Sequence, residues 1–253
     1  MVIPLGDLNP TRRRPWVTWL LVAANIGVFA FVQPWWADEC TQRAFFLDYA
    51  AIPAELTEGQ PLDAGQVARA TPPGCDVAPA DDKPVYAAAI VSLFLHGGWL
   101  HLLFNMLYLW IFGNNIEDRL GHLRFAGFYL LCGIVATAVF VVPNAGNPVP
   151  LVGASGAIAG VLGAYLVMFP RAPVTVAVPL LLFLVLRLPA AIVLLLWFVG
   201  QLLPLGQPAG AGGVAYLAHV GGFVAGVVVV LLLGFRPQRR RRRSEAGRQW
   251  PGR

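Results

Sequence analysis

Charge is scarce in this chain. Only 12% of its 253 residues are Asp, Glu, Lys or Arg, about half the proportion of an ordinary soluble domain, whereas 57% are hydrophobic. A soluble fold of this size could not hide that much apolar surface, and the length suits one compact helical domain rather than two. Metal-ligand spacing is lacking as well: the four histidines are scattered. No glycine-rich phosphate loop is present. Neither metal nor cofactor is therefore expected. Acidic residues inside the apolar runs and half-related repeats, the usual marks of a transporter, are missing too. Cysteine occurs three times. Cys132 lies in an apolar run and reads as a small packing residue. Cys40 and Cys75 share one loop, where a disulfide is permitted if that loop lies outside the cytoplasm. The run Val17 to Val32 has no small-residue cleavage site before Trp35 and Trp36, so it reads as a retained helix.

What is present is a series of apolar runs and a strong segregation of charge. Arg12, Arg13 and Arg14 precede the first run, and Arg236 with Arg239 to Arg243 follow the last. Between Trp36 and Val85 stand nine acidic residues against Arg43, Arg69 and Lys83. Arginine clusters beside apolar helices hold those ends in the cytoplasm and touch anionic lipid, so the basic tail is read as a topology signal and no nucleic-acid partner is expected. The expectation is an all-α polytopic membrane protein with six spans: 15–34, 98–114, 125–142, 151–169, 189–203 and 214–235. Segments 85–95 and 172–188 are left near the interfaces, since Val85–Gly113 and Val174–Leu203 are both too long for one crossing of a ~30 Å core. Six crossings put both termini in the cytoplasm. The domain division is a cytoplasmic N-terminus at 1–14, a six-helix domain at 15–235 containing an external loop at 36–84, and a basic tail at 236–253. Phe45, Phe46, Tyr49 and Ile52 suggest that part of the external loop lies on the membrane surface.

Polar residues inside spans are expensive and thus candidates for function. Ser155 opens the fourth span in Gly153-Ala154-Ser155-Gly156, and His219 lies in the upper part of the sixth. His101 and Asn105, spaced i and i+4, share a face of the second. These spans all run inward, which brings the four residues to nearly one level, within roughly 10 Å of the outer end for Ser155, His219 and His101. Small-residue stripes (Gly156, Gly160 and Ala164; Ala218, Gly222 and Gly226) let the fourth and sixth helices approach closely. A serine hydroxyl needs a base, which imidazole supplies near neutral pH, and the tetrahedral intermediate needs donors, which Asn105, His101 and the Ser155 N–H could provide.

These segments resemble the rhomboid family of intramembrane serine proteases. The matching runs are His96-Gly-Gly-Trp-Leu-His101-Leu-Leu-Phe-Asn105, Gly113-Asn-Asn-Ile-Glu117-Asp-Arg-Leu-Gly121, Gly153-Ala-Ser155-Gly156 and His219-Val-Gly-Gly222-Phe-Val-Ala-Gly226. Leu188-Pro189-Ala190 and Trp197-Phe-Val-Gly-Gln201 match more loosely. The resemblance implies a Ser155–His219 dyad without a required carboxylate, an oxyanion hole including His101 and Asn105, and a loop-ordering role for His96. It implies single-pass or multi-pass membrane-protein substrates, which enter laterally near the fifth span under the 204–213 loop and are cut near the outer face. Some members place a tyrosine one turn after the nucleophile to stack on the histidine. Here that position is Ala159, which leaves open what orients His219. The location implied is the cell membrane.

Blander readings stand beside these. An intramembrane serine can bond back to a helical carbonyl, His219 can be a neutral packing residue, and His101 and Asn105 can be inter-helix glue. His122 reads as solvated, and Glu117 as tying down a helix end. At the level of the whole chain, the alternatives to an active protease are an inactive relative that binds membrane clients and a histidine-based transporter.

Overall fold

The structure is a computed structural model describing residues 3–178, 184–203 and 215–237. The 204–213 loop and the basic tail beyond residue 237 lie outside the described residues. The fold is mostly helical. Helix α1 (Trp16–Phe31) has no side-chain cap of its own. Its first free N–H groups are met instead by Glu117, buried at 1% exposure, which accepts from Val17 N at 2.9 Å and from Thr18 N and Oγ1 at 2.8 and 2.7 Å. A carboxylate at a helix N-terminus satisfies orphan donors and complements the dipole. Glu117 does tie down a helix end, and His122 is not simply solvated: its Nδ1 sits 2.5 Å from Glu117 Oε1.

Between α1 and the bundle lies a small subdomain. Helices α2 (Glu39–Tyr49), α3 (Pro53–Glu58) and α4 (Ala64–Ala70) enclose Leu47, Ile52, Ala54, Leu62 and Val67. Asp38 caps α2, and Asp63 with Gln66 forms a capping box on α4. Cys40 and Cys75 are disulfide-bonded. Lys83, also buried, lies 2.6 Å from Glu55 Oε2 and donates to the carbonyls of Leu47 and Ala50 at the end of α2. Ile52, expected on the membrane surface with its aromatic neighbours, is fully buried in this core.

Helix α5 (Val85–Val91) and a tight turn (Ser92–Phe94) meet the next rod at an 80° bend. That rod is α6 (Trp99–Tyr108), a wide turn (Leu109–Gly113) and α7 (Asn114–Leu120). Helix α8 (His122–Val141) extends through Asn144, and these 23 residues are long and apolar enough to cross a membrane. The bent pair qualifies together, while α1, α9 (Ser155–Met168), α10 (Ala190–Leu202) and α11 (Tyr216–Leu232) are shorter apolar helices.

Helix α9 is buried continuously from Gly156 to Tyr165, enclosed chiefly by α8 and α11. Glycine makes that possible. A Cβ on Gly222 would overlap the Gly156 carbonyl, and one on Gly226 would overlap that of Gly160. A Cβ on Gly160 would stand 2.5 Å from Cys132 Cβ, so this cysteine is a buried, free packing residue.

The all-α expectation is corrected at one end of the bundle. Strands β1 (Ile3–Asp7), β2 (Pro173–Val178) and β3 (Leu184–Pro189) form an antiparallel sheet in the order β1-β2-β3. Val174 pairs with Leu188 and Val176 with Leu186. The β-branched run Val174-Thr175-Val176 fits a pleated surface better than a helix, and the prolines at 173 and 189 bound it.

Candidate active site

Three helices bring their polar residues to one cavity of about 840 Å³. Ser155 is the first residue of α9, following Gly153 in a positive-φ conformation (+123°) that disfavours any side chain. A Cβ there would also lie 2.8 Å from His101 Nε2, so the glycine leaves room for that imidazole beside Ser155. The segment is held from behind, where Gly153 N–H donates to Ser92 O at 2.9 Å and Leu151 N–H to Ala51 O at 2.7 Å.

His219, in the first turn of α11, places Nε2 2.8 Å from Ser155 Oγ. Its Nδ1 lies 2.7 Å from Oε1 of Gln201 on α10. Trp197, one turn before Gln201, sets its ring 5.9 Å from the imidazole at 37°. The open question left by Ala159, which is buried in α9, is thus met by α10. The sequence marks Gln201 and Trp197 only as loose family matches.

His101 and Asn105 both border the cavity from α6. His101 Nδ1 accepts from Gly97 N–H at 3.3 Å, which leaves Nε2 to carry hydrogen. Asn105 Nδ2 is buried without a hydrogen-bond partner among the described residues. A buried orphan donor is costly in a resting protein and calls for an explanation. His96 is fully buried, its ring packed edge-on to His101 with centroids 5.1 Å apart. Gln33, also unforeseen, clamps the His96 backbone, accepting from N–H at 3.0 Å and donating to the carbonyl at 2.5 Å. Gly156, Gly222 and Gly226 support the site by letting α9 and α11 touch backbone to backbone. From the disulfide-bonded subdomain, α2 contributes Glu39, Gln42, Arg43 and Phe46 to the cavity wall.

At the opposite end of α9 a second polar group gathers. Asp7 Oδ2 accepts from Tyr165 OH at 2.6 Å and from Asn115 Nδ2 at 2.8 Å, and Asn9 Nδ2 donates to Asn115 Oδ1 at 2.7 Å. Burial pushes the Asp7 carboxyl up to about 6, against the lowering effect of those donors.

Comparison with known proteins bears on the family of the chain. The Rhomboid domain family matches residues 84–236. RHOMBOID-like protein 5 of Arabidopsis thaliana is 28% identical over 238 residues, covering 88% of this chain and 70% of its own. Rhomboid protease GluP of Bacillus subtilis is 44% identical over 80 residues, 30% of this chain and 15% of that protein. Rhomboid protein 1, mitochondrial, of Saccharomyces cerevisiae is 31% identical over 169 residues, 63% of this chain and 46% of that one. The family match covers more than half of the sequence, and on that ground the chain belongs to the rhomboid family; the matched range contains His101, Asn105, Ser155 and His219.

Proposed function

We propose that this protein is an intramembrane serine endopeptidase, with Ser155 as nucleophile and His219 as its base. The observation that carries the reading is the 2.8 Å contact between Ser155 Oγ and His219 Nε2. It lies at a cavity that also holds His101 and Asn105, whose Nδ2 has no partner among the described residues. In this reading Ser155 Oγ–H passes its proton to His219 Nε2 as Oγ attacks the scissile carbonyl. The oxyanion is met by Asn105 Nδ2, His101 Nε2–H and the Ser155 backbone N–H at the start of α9. His219 returns the proton to the leaving amine, water enters, and the same two steps release the acyl product. No metal or cofactor takes part.

The proposed substrates are membrane-protein helices, single-pass or multi-pass, cut near the outer face of the bilayer. They would enter laterally beside α10. The proposed topology has six crossings: α1, the α6–α7 rod, α8, α9, α10 and α11. Both termini would lie in the cytoplasm, with the sheet on the inner side and the disulfide-bonded 36–84 subdomain outside. The site's support by His96, Gly153, Gly156, Gly222 and Gly226 belongs to the same proposal, as do residence in the cell membrane and the domain limits 1–14, 15–235 and 236–253.

A fluorophosphonate probe tests the reading. It should label the wild type and not Ser155→Ala, whereas a folded wild type that is never labelled would reject the proposal. An inactive family member would behave in that second way.

A further inference from the structure

We infer that Gln201 is a positioning residue for the proposed base, holding His219 in the one tautomer able to accept the Ser155 proton. The inference rests on the serine-protease reading and adds to it a third group, supplied by α10. Three observations meet here. Gln201 Nε2 donates to Trp197 O in its own helix at 3.3 Å, which turns Oε1 toward His219. An amide oxygen only accepts, so the 2.7 Å contact to Nδ1 requires hydrogen on Nδ1. Nε2 is then the bare nitrogen, and it is the one facing Ser155 Oγ at 2.8 Å. Without that partner both neutral tautomers become accessible, and the Nε2–H form cannot take a proton from serine.

The surroundings leave this task to Gln201. The imidazole is flanked by the rings of Trp197 and, edge-on, Tyr216, with centroids 5.9 and 6.5 Å away. No carboxylate oxygen lies within hydrogen-bond or ion-pair distance of it among the described residues. The charged groups sharing the cavity, Glu39 and Arg43, come from α2 in the disulfide-bonded subdomain. Helix α10 is seated on α11 by Phe198 stacked on Phe223 at 4.4 Å. The tautomer of a residue on α11 is thereby set by the packing of a neighbouring helix.

The test uses the purified full chain in detergent. Histidine 15N spectra of the wild type should show His219, identified by its loss in His219→Ala, as the Nδ1–H tautomer; an Nε2–H tautomer would overturn the inference without any variant. Gln201→Met, which keeps length and removes the acceptor, should lower kcat for a reporter transmembrane substrate roughly 10- to 100-fold with KM unchanged. That is part of the 10²–10⁴-fold that positioned proton transfer contributes. Gln201→Glu restores an acceptor and should recover most of the rate, with the acidic limb of its pH profile moved to higher pH because a carboxylate at Nδ1 favours the imidazolium. A Gln201→Met enzyme within twofold of wild type would overturn the inference. If the wild type itself neither cleaves nor takes up fluorophosphonate, the protease reading fails instead, and the tautomer measurement still decides the role of Gln201.

Discussion

The two ends of α9 carry the same kinds of residue and treat them in opposite ways. At the sheet end, Asp7, Asn9, Asn115 and Tyr165 bond one another, and nearby Glu117 accepts from Thr18, Val17 and His122. At the Ser155 end, Ser155, His219 and Gln201 also bond one another, but they border a cavity of about 840 Å³ where the Asn105 Nδ2 has no partner among the described residues. A saturated polar knot holds helices together, while an unsaturated one around empty space is poised for a ligand. The difference teaches that burial of polar groups alone does not mark function; what marks it is donors and acceptors left unspent in the same place.

Substitutions can break this comparison from either side. The largest effect on activity is expected from Ser155→Ala and His219→Ala, each removing at least roughly 10³-fold of cleavage. Their thermal unfolding midpoints should stay near wild type, because neither residue anchors a helix. Glu117→Ala should do the reverse. It strands the Val17 and Thr18 donors at 1% exposure of the carboxylate's site, and should cost about 3 kcal/mol or more of stability, read by chemical unfolding. The rate per folded molecule should be little changed. Asn105→Ala sharpens the contrast: in the proposed mechanism it removes one oxyanion donor, which should cost roughly 10²-fold or more in kcat. Stability should hold or rise, because the side chain removed includes a buried Nδ2 with no partner among the described residues.

The smallest expected effect concerns Asp7. Its folded value of about 6 lies above the ordinary 3.8, so its contribution to stability is present at low pH and is lost as pH rises from about 4 through about 6. Asp7→Asn should flatten that part of the stability profile by on the order of 1 kcal/mol, after allowing for the part of the carboxyl that still meets solvent. A profile left unchanged between about pH 4 and 6 would show that the knot holds Asp7 as a carboxylate.

The site was more legible in the sequence than the scaffold. Ser155, His219, His101 and Asn105 are polar letters inside apolar runs, and the common depth expected of them groups the same four residues that border one cavity. Gln201 sits one residue from the end of α10, where a polar residue passes for a helix terminus. Only the fold shows that it faces α11. The sheet was hidden because Val174–Leu203 reads as one apolar run: β3 keeps apolar residues such as Leu184 and Val185 at exposed positions, so no polar alternation sets it apart from helix. The 36–84 segment hid its own core for the opposite reason: Leu47, Ile52, Leu62 and Val67 are spread among Pro, Gly and Asp, and they converge only through the short helices and the Cys40–Cys75 link.

Cleavage of a reporter transmembrane substrate by the purified protein tests the central claim most directly. The account predicts peptide products from the wild type and none from His219→Ala at an unchanged unfolding midpoint. Equal product from the two proteins would contradict it.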